Sequence, residues 1–446
     1  MSSDPREIIN QSRMSIIQML IIVIMIGLNS LDGFDILSIS FASPGIAKEW
    51  GVDRTALGIV LSMELIGMGL GSFFLGGLAD KIGRRPTALS CLVVMAAGMF
   101  MVTTTGSIVT LSFWRIVTGV GIGGMLTAIT ALSTEFSSLP RRHLSISLMA
   151  IGYPLGGVVG GLIASNLLAN HNWRSVFYLG ASITAAFIPV VFFLVPESIH
   201  FLTRKQPSGA LEKINGILKR CQKNTIDSLP RLAEGVREKS VGEIFSPKML
   251  KTTVIIALAY FLHITTYYFI LKWVPKIVAD MGFAVSSASN VLVWANVGGA
   301  LGGTIFGLLT LKFDLKKLSI GILFGSGIFV AVFAHSPSDL KIMSFLCMLA
   351  GFFGNSGIIA LYAVVAHSYP THARAFGTGF MLTIGRGGAI LSPILVGYLL
   401  QSGMPLPSVG RIMGIGSIAG AVVLLFLKLV SGDSRDAAQN AEKEVS

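Results

Sequence analysis

Charge is what this chain has least of. Only 13% of its 446 residues are Asp, Glu, Lys or Arg, about half the share of a typical soluble domain. That is too little to solvate a water-facing surface of this size, so a soluble fold is excluded and a membrane protein is expected. Cysteine is scarce too, with three in the whole chain. Cys91, Cys221 and Cys347 show no paired or metal-ligand spacing, which argues against a disulfide framework and against a metal site. Period-2 alternation is also missing, and with it the lipid-facing β-barrel. The triplet Gly119, Gly121 and Gly124 spells G-x-G-x-x-G, yet it lies inside an apolar run with no preceding strand and no acidic partner. The dinucleotide reading therefore fails, and close helix contact explains the glycines better. No cofactor and no covalent chemistry are implied, so an enzyme is not expected.

What the chain does have is apolar length. Hydrophobic residues make up 52%, gathered into twelve runs at about 15–41, 55–79, 87–106, 108–133, 144–168, 175–195, 252–278, 287–311, 318–335, 342–366, 376–400 and 412–430. Each can cross a ~30 Å hydrocarbon core as a helix. The expected fold is an all-α integral membrane protein with twelve transmembrane helices. The net charge of +12 is not a nucleic-acid signal. About 25 of the 34 Lys and Arg fall on the side of the N-terminus, which by the positive-inside rule makes both termini cytoplasmic. The first run is too long for a cleavable signal peptide, lacks a basic leader and holds two aspartates.

The charges read as lying at membrane depth are Asp32 and Asp35 in the first run, Glu64 in the second, Arg115 in the fourth and Arg386 in the eleventh. A charge at mid-membrane costs on the order of 2.5–3.5 kcal/mol on insertion scales, so each marks a helix face turned away from lipid. The i, i+3 spacing sets Asp32 and Asp35 within about 60° of each other on one face. They form either a packing pair or part of an ion or substrate pathway, and the pathway is the expectation. At about 1.5 Å per residue, Asp35 and Arg115 lie at equal depth near the external surface and Arg386 lies near the midplane. Three acids against two cations leave one acid unpaired, and an unpaired acid in low dielectric is held most cheaply with its proton on. Asp32 or Asp35 is expected to carry that proton, ahead of Glu64.

Arg386 offers a bidentate fork to a carboxylate substrate, or else forms a structural pair with Glu64 or an aspartate. Arg115 either joins the substrate site or pairs with Asp35. His263, Thr265, Thr266, Tyr267 and Tyr268 cluster in the seventh run, and Phe352, Phe353, Asn355, Ser356 and Tyr362 in the tenth. Aromatic side chains with a few polar groups suit an aromatic ligand. Each also fits plain helix packing, and His263 could be a satisfied core histidine.

The chain divides at one long polar stretch, giving residues 1–195, a basic linker at 196–251, residues 252–430 and a tail at 431–446. Within the linker, residues 210–219 have an amphipathic pattern (Leu211, Ile214, Ile217, Leu218) suited to a membrane surface or to a solvated linker with a short helix, and no chemistry is expected of it. Six runs on either side invite a search for duplication. At an offset of 230 residues Gly77 meets Gly307, Gly121 meets Gly351, Gly124 meets Gly354, Pro140 meets Pro370 and Gly157 meets Gly387. Two pseudo-symmetric six-helix halves are expected.

After the second run comes Gly76-Gly77-Leu78-Ala79-Asp80-Lys81-Ile82-Gly83-Arg84-Arg85-Pro86. This resembles the signature loop of the major facilitator superfamily, at the place where that family carries it. Gly77 allows close contact, Asp80 suits a helix N-terminus, and Arg84 and Arg85 can pair with acids. The second-half copy at residues 307–317 is degenerate, with Thr310 where Asp80 would stand. Asp32-Gly33-Phe34-Asp35, with Arg115 and Glu135 around the fourth run and Arg374 and Arg386 around the eleventh, resembles the aromatic acid/proton symporters. Pro196-Glu197-Ser198 after the sixth run and Trp273-Val274-Pro275 after the seventh fit as well. That family usually has Tyr at the position of Phe34. The resemblance covers nearly the whole chain. It implies a monomeric inner-membrane carrier, working by alternating access, that imports an aromatic carboxylate with protons. Asp80, Arg84, Arg85, Glu135 and Arg374 would form its cytoplasmic gate. Muconate, nicotinate or a sugar as substrate, or export instead of import, stay open. A membrane sensor would need a signalling domain, and only about sixteen residues follow the last run.

Overall fold

A computed structural model describes residues 4–230, 244–247 and 249–427. The expected tail at 431–446 and the linker stretch at 231–243 lie outside the described residues. The described residues form helices and no strands. Twelve are long and apolar enough to span a membrane. They are α1 (Ile16–Trp50), α2 (Arg54–Ile82), α3 (Arg84–Thr103), α4 (Ile108–Glu135), α5 (Arg142–Asn170), α6 (Arg174–Leu194), α7 (Leu250–Asp280), α8 (Val285–Leu309), α9 (Leu315–Ala334), α10 (Leu340–Ser368), α11 (Thr371–Gln401) and α12 (Leu406–Leu425). Local signals set their ends. Ser15 and Gln18 close a capping box on α1, and Asp53, Ser107, Asp314 and Asp339 cap α2, α4, α9 and α10, each satisfying amides that a helix start leaves open. The side chain of Gln18 also donates to the Phe136 carbonyl at 2.8 Å, fastening the start of α1 to the end of α4.

The chain gathers into two compact units. One holds residues 1–236 with 271–296 and 393–401, and the other holds 237–270, 297–392 and 402–446. The first unit thus contains all of α1–α6 together with one end of α7, α8 and α11. Polar contacts explain why those ends belong to it. Trp273 Nε1 donates to the Pro393 carbonyl at 3.2 Å, Ser165 to the Ser286 carbonyl at 2.6 Å, and Arg54 pairs with Asp280 at 3.2 Å. Trp273-Val274-Pro275 therefore lies within α7 and does not follow it.

Within each unit the helices cross where a glycine faces a carbonyl. A Cβ on Gly67 or Gly71 of α2 would overlap the Ile116 or Val120 carbonyl of α4, and one on Gly156 of α5 would overlap the Ser30 carbonyl of α1. The second unit repeats this. Gly298 and Gly302 of α8 face the Met348 and Phe352 carbonyls of α10, and Gly388 of α11 faces the Phe261 carbonyl of α7. The matching contacts are displaced by about 231 residues, as parallel repeats require. The duplication is thus carried by helix-crossing points, one or two residues beyond the offset that the glycine spacing suggests. Close approach of this kind is how helices associate in lipid, where no hydrophobic effect drives them together.

Three short helices, Pro5–Gln11, Ile199–Lys205 and Ala210–Arg220, cover one end of the first unit. Ile9, Ile199, Leu202, Ile214, Ile217 and Leu218 share a buried cluster with Met25, Met125 and Leu132 of the membrane helices. The amphipathic segment therefore turns its apolar face onto the bundle, where a membrane-surface helix was expected.

Gly156→Leu should prevent close crossing of α1 and α5 and abolish the monodisperse folded protein. Gly77→Ala, whose Cβ meets nothing within 4 Å, should leave it intact. Size-exclusion profiles of detergent-solubilised protein check this, and a normal profile for Gly156→Leu would refute it.

Candidate functional site

The first unit holds a fully buried ionic network. The close α2–α4 crossing builds it: Gly119 of α4 lies against the main-chain carbonyl of Glu64. Arg115, one turn away on the same face, consequently reaches the Glu64 carboxylate. Both side chains are completely buried. Arg115 also donates to the Asp35 main-chain carbonyl at 2.9 Å, approaches the Met99 sulfur at 3.2 Å and lies 5.4 Å from the centre of the Phe177 ring. It does not form the expected ion pair with the Asp35 side chain.

Lys272 of α7, also fully buried, completes the network. Its Nζ is 3.8 Å from Glu64 and donates to the Ile36 carbonyl of α1 at 2.5 Å. The sequence reading missed this residue. Lys272 and Lys276 stand close to one end of the run at 252–278 and read as flanking charges, although a lysine that far inside the run was signal enough. Lys272 changes the expected balance of three buried acids against two cations, because it makes the cations three.

Asp32 and Asp35 are buried on α1, and neither carboxylate has a hydrogen-bond partner among the described residues. Asp32 lies in the field of Asp35 and Glu64 and beside Cys91 of α3. The Asp35 carboxylate points at α6, where a Cβ on Gly180 would lie 3.2 Å from Oδ1. Two orphaned carboxyl groups in a protein interior are costly unless they carry protons.

The second unit brings Arg386 of α11 together with three tyrosines. Tyr260 and Tyr268 of α7 and Tyr362 of α10 are its electrostatic neighbours. The Tyr260 and Tyr362 hydroxyls share a hydrogen bond, and their rings stack at 6.0 Å and 29°. Gly385 makes room: a Cβ there would overlap the Tyr260 ring. Tyr260 was absent from the sequence expectations, although it precedes Tyr268 by about two helical turns. Arg386 is not paired with Glu64, whose cationic partners are Arg115 and Lys272.

The other expected ring contacts go elsewhere. His263 is buried with Nδ1 2.8 Å from Ser417 Oγ and Nε2 2.8 Å from the Gly354 carbonyl. Both ring nitrogens are used, as in a core histidine. Tyr267 packs on Gly354 of α10, one residue and about 100° away from Tyr268. Asn355 donates to the Gly299 carbonyl at 2.8 Å and ties α10 to α8.

At the loop between α2 and α3, Arg84 pairs with Asp80 at 2.9 Å and approaches Glu135 at 3.5 Å. Glu135 also accepts a hydrogen bond from Ser198. Asp80 lies in the last turn of α2 and does not sit at a helix N-terminus. The acid at the start of α3 is Glu197, whose Oε1 accepts from the amides of Arg84 at 2.9 Å, Arg85 at 3.3 Å and Ser198 at 2.7 Å. This carboxylate neutralises the positive helix end. Arg374 lies in the other unit, where its Nε has no hydrogen-bond partner among the described residues.

Twelve membrane-spanning helices in two repeated sets, one with a buried ionic network and the other with an arginine–tyrosine cluster, define a multi-pass membrane protein. The chain belongs to the Major Facilitator Superfamily, whose model matches residues 25–272 and 256–445. It is similar to the 4-hydroxybenzoate transporter PcaK of Acinetobacter baylyi, at 28% identity covering 96% of this chain and 95% of that one. The gallate transporter of Pseudomonas putida is similar at 28% identity, covering 95% and 94%. Among solved structures, the inward-open xylose transporter XylE from E. coli matches with a TM-score of 0.70 at 16% identity, covering 93% of this chain and 97% of that one. The nucleoside transporter NupG matches with a TM-score of 0.71 at 15% identity, covering 91% and 99%. At these identities the structures show the fold alone.

Breaking a buried ion pair on one side costs about 3–5 kcal/mol, because it strands a charge. Glu64→Leu, which leaves both Arg115 and Lys272 without a counterion, should therefore lower the unfolding midpoint in detergent sharply, and adding Arg115→Leu and Lys272→Met should recover most of the loss. A single variant as stable as the parent would show that the pair contributes nothing.

Proposed function

We propose that this protein is a proton-coupled symporter that imports an aromatic carboxylate across the plasma membrane by alternating access, with both termini in the cytoplasm and the monomer as the working form. The observation that carries this reading is Arg386 set among Tyr260, Tyr268 and Tyr362. A guanidinium fork matches a carboxylate bidentately. The stacked tyrosines offer aromatic faces and edges to a ring, and their hydroxyls can pair with ring hydroxyl groups. The relatives named for 4-hydroxybenzoate and gallate support a hydroxylated benzoate. We assign anchoring to Arg386, ring contact to the three tyrosines, and a supporting position on α10 to Asn355.

The proton belongs to α1. Asp32 and Asp35 are orphaned carboxyls beside the Glu64–Arg115–Lys272 network, where adding or removing one proton changes the local charge balance in a low-dielectric interior. Arg115 serves this network and does not touch the substrate. Lys272 would fasten α7 to α1 while Glu64 is charged, and would loosen it once the charge balance changes. Asp80, Arg84, Arg85, Glu135 and Arg374 are assigned to the cytoplasmic gate.

Two experiments test the reading. Arg386→Lys replaces a fork with a point charge, and loss of roughly 1.5–3 kcal/mol should raise the dissociation constant for 4-hydroxybenzoate tenfold to hundredfold. Calorimetry on purified protein measures this without involving transport rate, and unchanged affinity would remove Arg386 as the anchor. Asp32→Asn and Asp35→Asn keep shape but not charge, and each should abolish accumulation of labelled acid in cells while the protein remains in the membrane. A protonophore should do the same to the parent. Accumulation that survives the protonophore but requires sodium would overturn proton coupling.

A further inference from the structure

A cavity of about 340 Å³ opens where α3 begins, α6 ends and the short helix Ala210–Arg220 crosses them. Arg85, Lys213 and Arg220 line it together with Phe192, Phe193 and Gly216. Neither the ionic network nor the arginine–tyrosine cluster uses any of these residues. The position decides its chemistry. Phe192 and Phe193 occupy the last turn of a membrane helix and are 52% and 69% exposed, so the cavity straddles the boundary between hydrocarbon and water.

Two of its cations are held in place. The Arg85 guanidinium lies 5.1 Å from the centre of the Phe192 ring and donates to the Phe192 carbonyl, while its Nε has no hydrogen-bond partner among the described residues. Arg220 donates to the Phe193 carbonyl at 3.2 Å. Lys213 and Arg220, seven residues apart, share one face of their helix. The lining holds one acid, Glu197, and its Oε1 is already taken by three backbone amides. Three cations around a cavity with an aromatic lip at membrane depth form a receptor for an anionic group attached to an acyl chain.

We propose that this cavity binds the headgroup of an acidic phospholipid. The phosphate sits among Arg85, Lys213 and Arg220, and the acyl chains run down past Phe192 and Phe193 along α6. The lipid then bridges the linker helix to the membrane helices, adding an electrostatic contact to the apolar face that Ile214 and Leu218 already bury.

The test uses the full chain purified in a neutral detergent. The probes are dioleoyl phosphatidylglycerol, dioleoyl phosphatidylcholine and soluble glycerol 1-phosphate, read by native mass spectrometry and by the unfolding midpoint. Phosphatidylglycerol should remain bound and raise the midpoint, whereas phosphatidylcholine and glycerol 1-phosphate should not. Lys213→Ala with Arg220→Ala removes two exposed cations and should weaken that binding roughly thirtyfold. Gly216→Leu gives an independent readout: a Cβ there meets no atom within 4 Å, and leucine is a better helix former than glycine. It fills the cavity with every charge kept, and should also lose the bound lipid. Retention of phosphatidylglycerol by both variants would overturn the proposal. So would an equal response to phosphatidylcholine, and an equal response to glycerol 1-phosphate would make this a site for soluble phosphates.

Discussion

Close passage of one backbone by another, permitted by glycine, is the contact on which the rest of this structure depends. Lipid tails are as apolar as leucine, so the helices gain nothing by hiding apolar side chains from lipid and must gain by proximity. Where Gly67, Gly71 and Gly119 bring α2 against α4, the gap closes to backbone contact. The ionic network of the first unit hangs on that crossing. It sets Arg115 opposite Glu64, and Arg115 in turn reaches the main chain of α1 beside the two aspartates. In the second unit, Gly388 and Gly385 do the same for α7 and α11, and so place Tyr260 beside Arg386.

The two sites have opposite electrical characters. The network in the first unit is a set of fixed charges, Arg115 and Lys272 against Glu64, held out of contact with water. The cluster in the second unit sets one half-buried cation among neutral hydroxyls. In the function proposed above, the first site would hold the proton and the second the anion.

Much of this was legible in the residues. Apolar run length gave all twelve spans, and the rarity of charge within them marked Asp32, Asp35, Glu64, Arg115 and Arg386 for attention. Glycine spacing exposed the duplication to within a residue or two. The failures have different causes, the first being which of two adjacent faces a helix turns inward. Tyr267 and Tyr268 are indistinguishable in sequence, yet one packs on Gly354 and the other faces Arg386. Lys272 was hidden because hydropathy averages over a window, and aromatic and branched neighbours keep the mean high near the end of the run, where Lys276 also lies. Glu197 caps a helix more than a hundred residues before it in the chain, a pairing that no local capping signal can reveal.

The Gly385–Tyr260 contact bears on how such carriers diverge. The anchoring cation and the ring that stacks beside it are set by different atoms, since the bare α-carbon of Gly385 fixes how deeply the Tyr260 ring seats. A single methyl at that position would force the ring to shift. Under the anchoring role proposed for Arg386, a change at Gly385 would alter ring preference from behind the Tyr260 ring, through a residue outside the proposed substrate contacts.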